Sequence, residues 1–326
     1  MMKKADFTLN IDREGEIRIL QLTDMQVIDA KQMRFPERLG GSSLLNWVPE
    51  KHYGNLYQYM DELVERTAPD LIIITGDIIY GEFDDSGRSM IEFVEHMESY
   101  KIPWAPVYGT HDNESKMGVE WQNQQFIDAE HCLFAKGSVF GNGNYTVDIV
   151  QKGELVRRLC MVDSNGCHGA GVSQGIRPDQ IEWLSEYGKA DGAPAFVCYH
   201  IPTVDFINVS IAKGYQSAPD VPGDVHNYTI CRETGDKKAD FGRKVERLEA
   251  GGQVELMPVF KEIGADGIFV GHCHCINTSI VYDGIRFTFG LKTGSYDYYH
   301  GDAMGGTKIV LDGKDFSVEH IYCTVR

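Results

Sequence analysis

No apolar run in this sequence is long enough to span a bilayer, and no apolar h-region follows the two lysines of MMKKADFTLNIDREGEIRI. A cytoplasmic chain with no membrane partner is therefore expected. Positive charge is scarce as well: 31 Lys and Arg stand against 48 Asp and Glu, giving a formal charge of −17. Nucleic-acid backbones are bound by clustered Lys and Arg, so nucleic acid is not expected as the main partner. The same deficit would repel an anionic substrate unless a bound metal reversed the local field. No G-x-G-x-x-G follows the first candidate strand, which disfavours a dinucleotide-binding oxidoreductase. Repeats and low-complexity tracts are also missing. The eight cysteines (Cys132, Cys160, Cys167, Cys198, Cys231, Cys273, Cys275 and Cys323) are scattered, which suits buried reduced thiols better than a disulfide framework.

What is present is an ordinary globular composition, 42% hydrophobic and 24% charged, in 326 residues that can bury a substantial core. The segment LIIITGDIIYGE, Leu71 to Glu82, is a continuous aliphatic run that stops at Gly76 and is followed at once by Asp77. Such a run reads as a buried parallel strand, and an acid at its carboxyl end faces a cleft. Glu16 to Thr23 repeats the pattern and ends at Asp24. A short strand over Ile102 to Tyr108 leads into Gly109-Thr110-His111-Asp112-Asn113-Glu114, AFVCYH ends on His200, and Gly267 to Val270 is closed by Gly271-His272-Cys273-His274.

Helical spacing is expected over Tyr53 to Arg66, Arg88 to Tyr100, Val119 to Glu130, Pro178 to Tyr187 and Val254 to Ile263. Gly141-Asn142-Gly143-Asn144 between apolar runs signals a hairpin, and Asp283-Gly284 and Asp312-Gly313 signal two more near the end. Two stretches lack periodicity. Asp29 to Glu50 reads as a long loop over a strand end, and residues 218–252 read as an inserted loop or lid in an otherwise single domain over 1–326.

Five apolar runs thus end in groups able to bind metal: Asp24, Asp77, Thr110-His111-Asp112, His200, and the pair His272 and His274. Carboxylate with imidazole suits Zn, Mn or Fe, and a two-ion site suits hydrolysis. The alternative is a small structural zinc site with Cys273 and Cys275. In an extended segment, however, alternation points the two His one way and the two Cys the other.

The order Asp24, Gly76-Asp77, Gly109-Thr110-His111-Asp112, His200, Gly271-His272-Cys273-His274 resembles the calcineurin-like metallophosphoesterases, from about Ile17 to about Gly301. Their pattern is D-x-H, G-D, G-N-H-[DE], H and G-H-x-H. The chain looks closest to the purple-acid-phosphatase-like branch, which Gln180-Ile181-Glu182-Trp183-Leu184 and Tyr299-His300-Gly301 also resemble. Gln26 stands where the family has the histidine of D-x-H, and Thr110 where it has an asparagine. Tyr80, three residues after Asp77, is either a ligand on the purple-acid-phosphatase pattern or a packing aromatic.

The resemblance implies an α/β chain folded as a four-layer α/β/β/α sandwich with two facing mixed sheets. It implies a metal-dependent phosphoesterase in which a metal-bound hydroxide attacks a phosphomonoester or phosphodiester. Two transition-metal ions (Fe, Mn or Zn) would be held by Asp24, Asp77 and His274, with Gln26 or Tyr80, and by Asp77, His200 and His272, with Thr110. His111 would act on the leaving group, oriented by Asp112. A small phosphorylated substrate is the implied partner. Apart from the resemblance, His226 and His300 are candidate substrate contacts. The competing expectation is a degenerate binding or regulatory protein with one ion or none.

Overall fold

The computed structural model describes residues 3–29, 32, 55–166, 175–215, 228–230, 236–248, 254–295, 297 and 303–324. In chain order the elements are β1 (Phe7–Ile11), β2 (Ile17–Leu22), α1 (Asn55–Thr67), β3 (Leu71–Thr75), α2 (Arg88–Ser99), β4 (Trp104–Val107) and α3 (Val119–Asp128). There follow β5 (Tyr145–Gln151), β6 (Glu154–Met161), α4 (Pro178–Tyr187), β7 (Ala195–Cys198), α5 (Val204–Ala212), and the short strands β8 (Tyr228–Thr229) and β9 (Arg243–Lys244). The chain closes with α6 (Met257–Ile263), β10 (Ala265–Val270), β11 (Ser279–Tyr282), β12 (Ile285–Phe289), β13 (Gly305–Asp312) and β14 (Asp315–Tyr322).

Two mixed sheets carry the fold. One has the order β14-β13-β2-β3-β4 and the other β1-β5-β6-β7-β10-β12-β11. Within the first, β2, β3 and β4 run parallel, and β7, β10 and β12 run parallel within the second. β3 is buried along its whole length, which is why Leu71, Ile72, Ile73 and Ile74 read as an unbroken apolar run.

The sheets face each other across one core, where Ile19, Ile73 and Ile309 of one cluster with Val147, Phe196 and Phe269 of the other. Phe196 meets Phe316 across the seam with ring centroids 4.8 Å apart. Near the carboxyl ends, the fully buried Gln21 joins both layers: its Nε2 donates to Thr75 Oγ1 (2.9 Å) on β3 and to Val270 O (3.0 Å) on β10. Helices cover the outer faces. On one side α1 packs on β2 and β13 through Leu56, Met60 and Leu63. On the other, a second cluster holds Trp183 and Leu184 of α4, Phe206 of α5 and Phe260 of α6 against β7, β10 and β12. The four-layer α/β/β/α order is therefore observed.

Two local readings differ from the sequence expectation. The hairpin falls between β5 and β6, turned by Lys152 and Gly153 in left-handed backbone, and not at Gly141 to Asn144. There the chain instead wraps the buried Asp163, whose Oδ2 accepts the Asn142 N–H at 2.7 Å, with Gly141 at φ 91° because a Cβ would strike that carboxylate. Helix α5 is absent from the sequence expectation, since IPTVDFINVSIA is apolar on too many faces to show a clear period. Its Asp205 accepts the N–H groups of Leu256 and Met257 at 2.8 and 3.0 Å, capping the start of α6. The segment expected as a loop from Asp29 to Glu50, and much of 218–252, lie outside the described residues.

Candidate metal centre

Each candidate residue stands just beyond a strand: Asp24 after β2, Asp77 after β3, Thr110 and His111 after β4, His200 after β7, and His272 and His274 after β10. Parallel strands deliver these ends to one side of the seam. The backbone there turns sharply, with left-handed φ at Asp24 (53°), Gln26 (50°), Asp77 (51°) and His272 (73°). Non-glycine residues hold such angles at a cost of about 1 kcal/mol or more each, and only where neighbours enforce them. The enforcement is visible. Asp24 N–H donates to Gly76 O (3.0 Å), Gln26 N–H to Asp77 O (2.8 Å), and Gly271 N–H to His200 O (3.1 Å). Gly76, at φ 89°, admits the His200 ring, because a Cβ there would come within 2.7 Å of His200 Cγ and Nδ1. Gly109 admits the Asp77 carboxylate in the same way.

Asp24, Asp77 and His200, all buried, bring one ligand atom each to within 4.8 Å of one another. His200 Nδ1 lies 2.8 Å from Thr75 O and so carries a hydrogen that it donates. Its Nε2 is buried, lies 3.3 Å from Asp77 Oδ1, and has no hydrogen-bond partner among the described residues. A buried imidazole nitrogen aimed at a carboxylate marks a place for a cation between them, so the donor set fits a metal. The same demand shows in the proton balance, where an ion would displace the proton that Asp77 favours on the ring. Burial opposes a charged ring, yet the Asp77 carboxylate outweighs it and lifts His200 to about 9. Burial alone would raise Asp77, but the charges of His200 and His111 hold it well below the usual carboxylate range. Asp24, likewise buried, is lowered to about 2, chiefly by His274, whose Nε2 lies 3.3 Å from Asp24 Oδ1. His272 donates its backbone N–H to Asp24 Oδ2 at 3.1 Å, and its ring meets that of His200 edge-on at 5.2 Å. Burial, then the neighbouring His200, lowers His272 to about 3, which keeps its ring neutral at pH 7.

The remaining candidates take the following places. Asp112 does not orient His111: its carboxylate accepts the N–H of Ile79 (2.9 Å) and of Gly109 (2.6 Å), clasping the turns after β3 and β4 together. His111 Nδ1 meets Glu114 Oε2 at 2.9 Å instead. Tyr80 lays its ring flat on His111, centroids 3.8 Å apart at 22°. Thr110 donates its hydroxyl to Asp77, 3.2 Å from Oδ1. Gln26 does not turn its carbonyl oxygen to the centre: that oxygen accepts from Lys292 Nζ at 2.6 Å, and Nε2 faces Asp77 Oδ2 at 3.3 Å. His226 and His300 lie outside the described residues. Cys273 and Cys275 join no metal-ligating group among the described residues.

Residues 17–275 match the family model described as calcineurin-like phosphoesterase. The chain belongs to that family. Relatives of this phosphoesterase-family chain include phosphatase DCR2 of Saccharomyces cerevisiae, 24% identical over 220 residues, which cover 60% of this chain and 36% of the relative. The Arabidopsis thaliana protein named "Probable inactive purple acid phosphatase 28" is 30% identical over 235 residues, covering 63% of this chain and 58% of its own length. The chain thus spans between 36% and 58% of the length of these curated relatives. A solved structure, TT1561 of Thermus thermophilus, superposes over 94% of this chain and 99% of its own with a TM-score of 0.46 at 11% identity.

Sequence reasoning gave no role to two residues of this calcineurin-like phosphoesterase's site, Glu114 and Lys292; Asp297 also stands there, its Oδ2 3.9 Å from His274 Nδ1. Lys292 had a signal. It follows β12, a further parallel strand that ends in a glycine and soon after a charged residue, close to the pattern that revealed Asp77. Glu114 needed the short helical turn Asp112–Glu114, which folds it back under His111.

Proposed function

We propose that this chain hydrolyses a phosphate ester at a metal centre formed by Asp24, Asp77, His200, His272 and His274. The observation that carries the reading is the unpartnered His200 Nε2 facing Asp77 Oδ1 at 3.3 Å inside the buried Asp24, Asp77 and His200 group. Transition-metal ions bound there would supply the positive field that an acidic chain lacks, and would acidify water for attack on phosphorus. Asp77 lies between the imidazoles of the two sheets and is the natural group to be shared by two ions. Thr110 and the His111 N–H orient its oxygens by donating to them. His111 is the proton source: burial opposes its charge, but Asp77 and then Glu114 raise it to about 9, so it is protonated at neutral pH. Tyr80 holds the flat of its ring. The substrate class is a small phosphomonoester or phosphodiester, and the setting proposed is cytoplasmic.

The name of the Arabidopsis relative and the engaged carbonyl of Gln26 support a second reading, a binding or regulatory protein with little turnover. One experiment separates the two. Purified protein reconstituted with Mn, Fe or Zn should hydrolyse a generic aryl phosphate and lose both metal and turnover in His200→Ala. Metal uptake without turnover on any of a panel of phosphate esters would leave the second reading standing.

A further inference from the structure

Lys292 is a buried cation that the hydrolytic scheme does not use. Its Nζ lies 2.6 Å from Gln26 Oε1 and 3.0 Å from the backbone oxygen of Asp24, and the residue is only 2% exposed. An ammonium has hydrogens to give and no lone pair to receive one, so the Gln26 atom beside it must be the amide oxygen. The amide nitrogen then faces the centre, 3.3 Å from Asp77 Oδ2 and 3.5 Å from His274 Nε2. Amide nitrogen offers an ion nothing, because its lone pair is delocalised into the carbonyl.

The amide cannot readily turn over. Gln26 is fully buried, and reversal would set NH2 against ammonium, donor against donor. Both partners are also pinned through the backbone. The Gln26 N–H is bonded to Asp77 O, Thr293 N–H to Thr23 O at 2.9 Å, Gly294 N–H to Asp24 O at 3.3 Å, and Gly305 N–H to Lys292 O at 3.0 Å. Hence the half of the centre around Asp24 and His274 contains a fixed positive charge and a ligand turned away. The half around His200 contains neither, and keeps an imidazole nitrogen without a partner among the described residues.

We propose that Lys292 is a positioning residue that makes the two halves of the centre unequal, so that an ion on Asp77 and His200 is held firmly and one on Asp24 and His274 weakly. The inference rests on the metal-centre reading above.

The test counts ions and does not depend on turnover. The purified chain, stripped with chelator, is titrated with Mn²⁺ alone or Zn²⁺ alone by calorimetry, then desalted and measured by elemental analysis. The wild type should retain about one ion and bind a second about ten- to a hundredfold more weakly. In Lys292→Met, where the Gln26 oxygen is released to turn inward, the second ion should bind about tenfold more tightly and survive desalting. Lys292→Gln, which is neutral and can pair with either end of the Gln26 amide, should behave alike and serves if the methionine variant does not fold. Two ions held equally by the wild type, or an unchanged second affinity in a folded Lys292 variant, would overturn the proposal while leaving the metal centre in place. Failure of the wild type to bind any ion would overturn the metal-centre reading and this proposal with it.

Discussion

Glu114 Oε2 lies 2.9 Å from His111 Nδ1, one short helical turn further along the chain, and both side chains are nearly buried. Two opposite charges shielded from water hold each other, so the proton on His111 is retained well above neutral pH. Turnover that draws on that proton should be present below about 9 and lost as pH rises through it. Glu114→Gln removes one of the three carboxylates, with Asp77 and Asp297, that raise the ring, and the alkaline limb of kcat against pH should move to lower pH. His111→Ala should lower kcat by about 10²- to 10⁴-fold. A limb that stays in place in Glu114→Gln would assign the proton to another group.

Asp112 is predicted to matter for stability first. Its two oxygens accept backbone N–H groups from the turns after β3 and β4, and burial, then the nearby Asp77, pushes its carboxyl up to about 7. An amide can accept at only one end, so Asp112→Asn should leave one buried N–H facing an NH2 and cost about 2 kcal/mol. Urea unfolding measures this. Unchanged stability with lost turnover would return Asp112 to the catalytic role that the sequence suggested.

His320 sets an acid limit. It is buried between Thr307 Oγ1 (3.0 Å from Nδ1) and Asn277 O (2.8 Å from Nε2), an environment made for a neutral ring that accepts at one nitrogen and donates at the other. Burial lowers it from 6.5 to about 4. The unfolded chain therefore binds the extra proton between those values, and the stability contributed by the neutral ring is complete above pH 6.5 and lost as pH falls toward 4. Between pH 7 and pH 4 the loss should be on the order of 3 kcal/mol, and His320→Gln should flatten this part of the pH profile.

Gly76→Ala tests the close approach beneath His200. The added methyl would meet the imidazole at 2.7 Å and the Gly109 nitrogen at 2.8 Å, in backbone at φ 89°. A stability loss of about 2–4 kcal/mol is expected, with weaker metal uptake as the ring is displaced. Wild-type melting and metal content in the alanine variant would show that the turn can open without moving His200.

The sheets were largely legible because strand period and strand-end acids are local signals. LIIIT is readable as a buried strand from five consecutive residues. The residues converging on Asp77 were readable because parallel strands deliver their ends to one side. What was hidden depended on orientation. Nothing in D-M-Q tells which end of the Gln26 amide faces the centre, since a lysine 266 residues away decides it. Asp112 and Glu114 compete for the same histidine, and only the geometry of the turn shows that Asp112 is taken up by backbone N–H groups.

The Gln21 amide described in the seam has a consequence for how far this centre can drift. Because one nitrogen holds Thr75 on β3 and Val270 on β10, the spacing between the strand that carries Asp77 and the strand that carries His272 and His274 is gauged by the length of a single side chain. Changes elsewhere that leave Gln21, Thr75 and Val270 in place would leave that gauge as it is. Alteration of that one residue would shift Asp24 and Asp77 together against His200, His272 and His274.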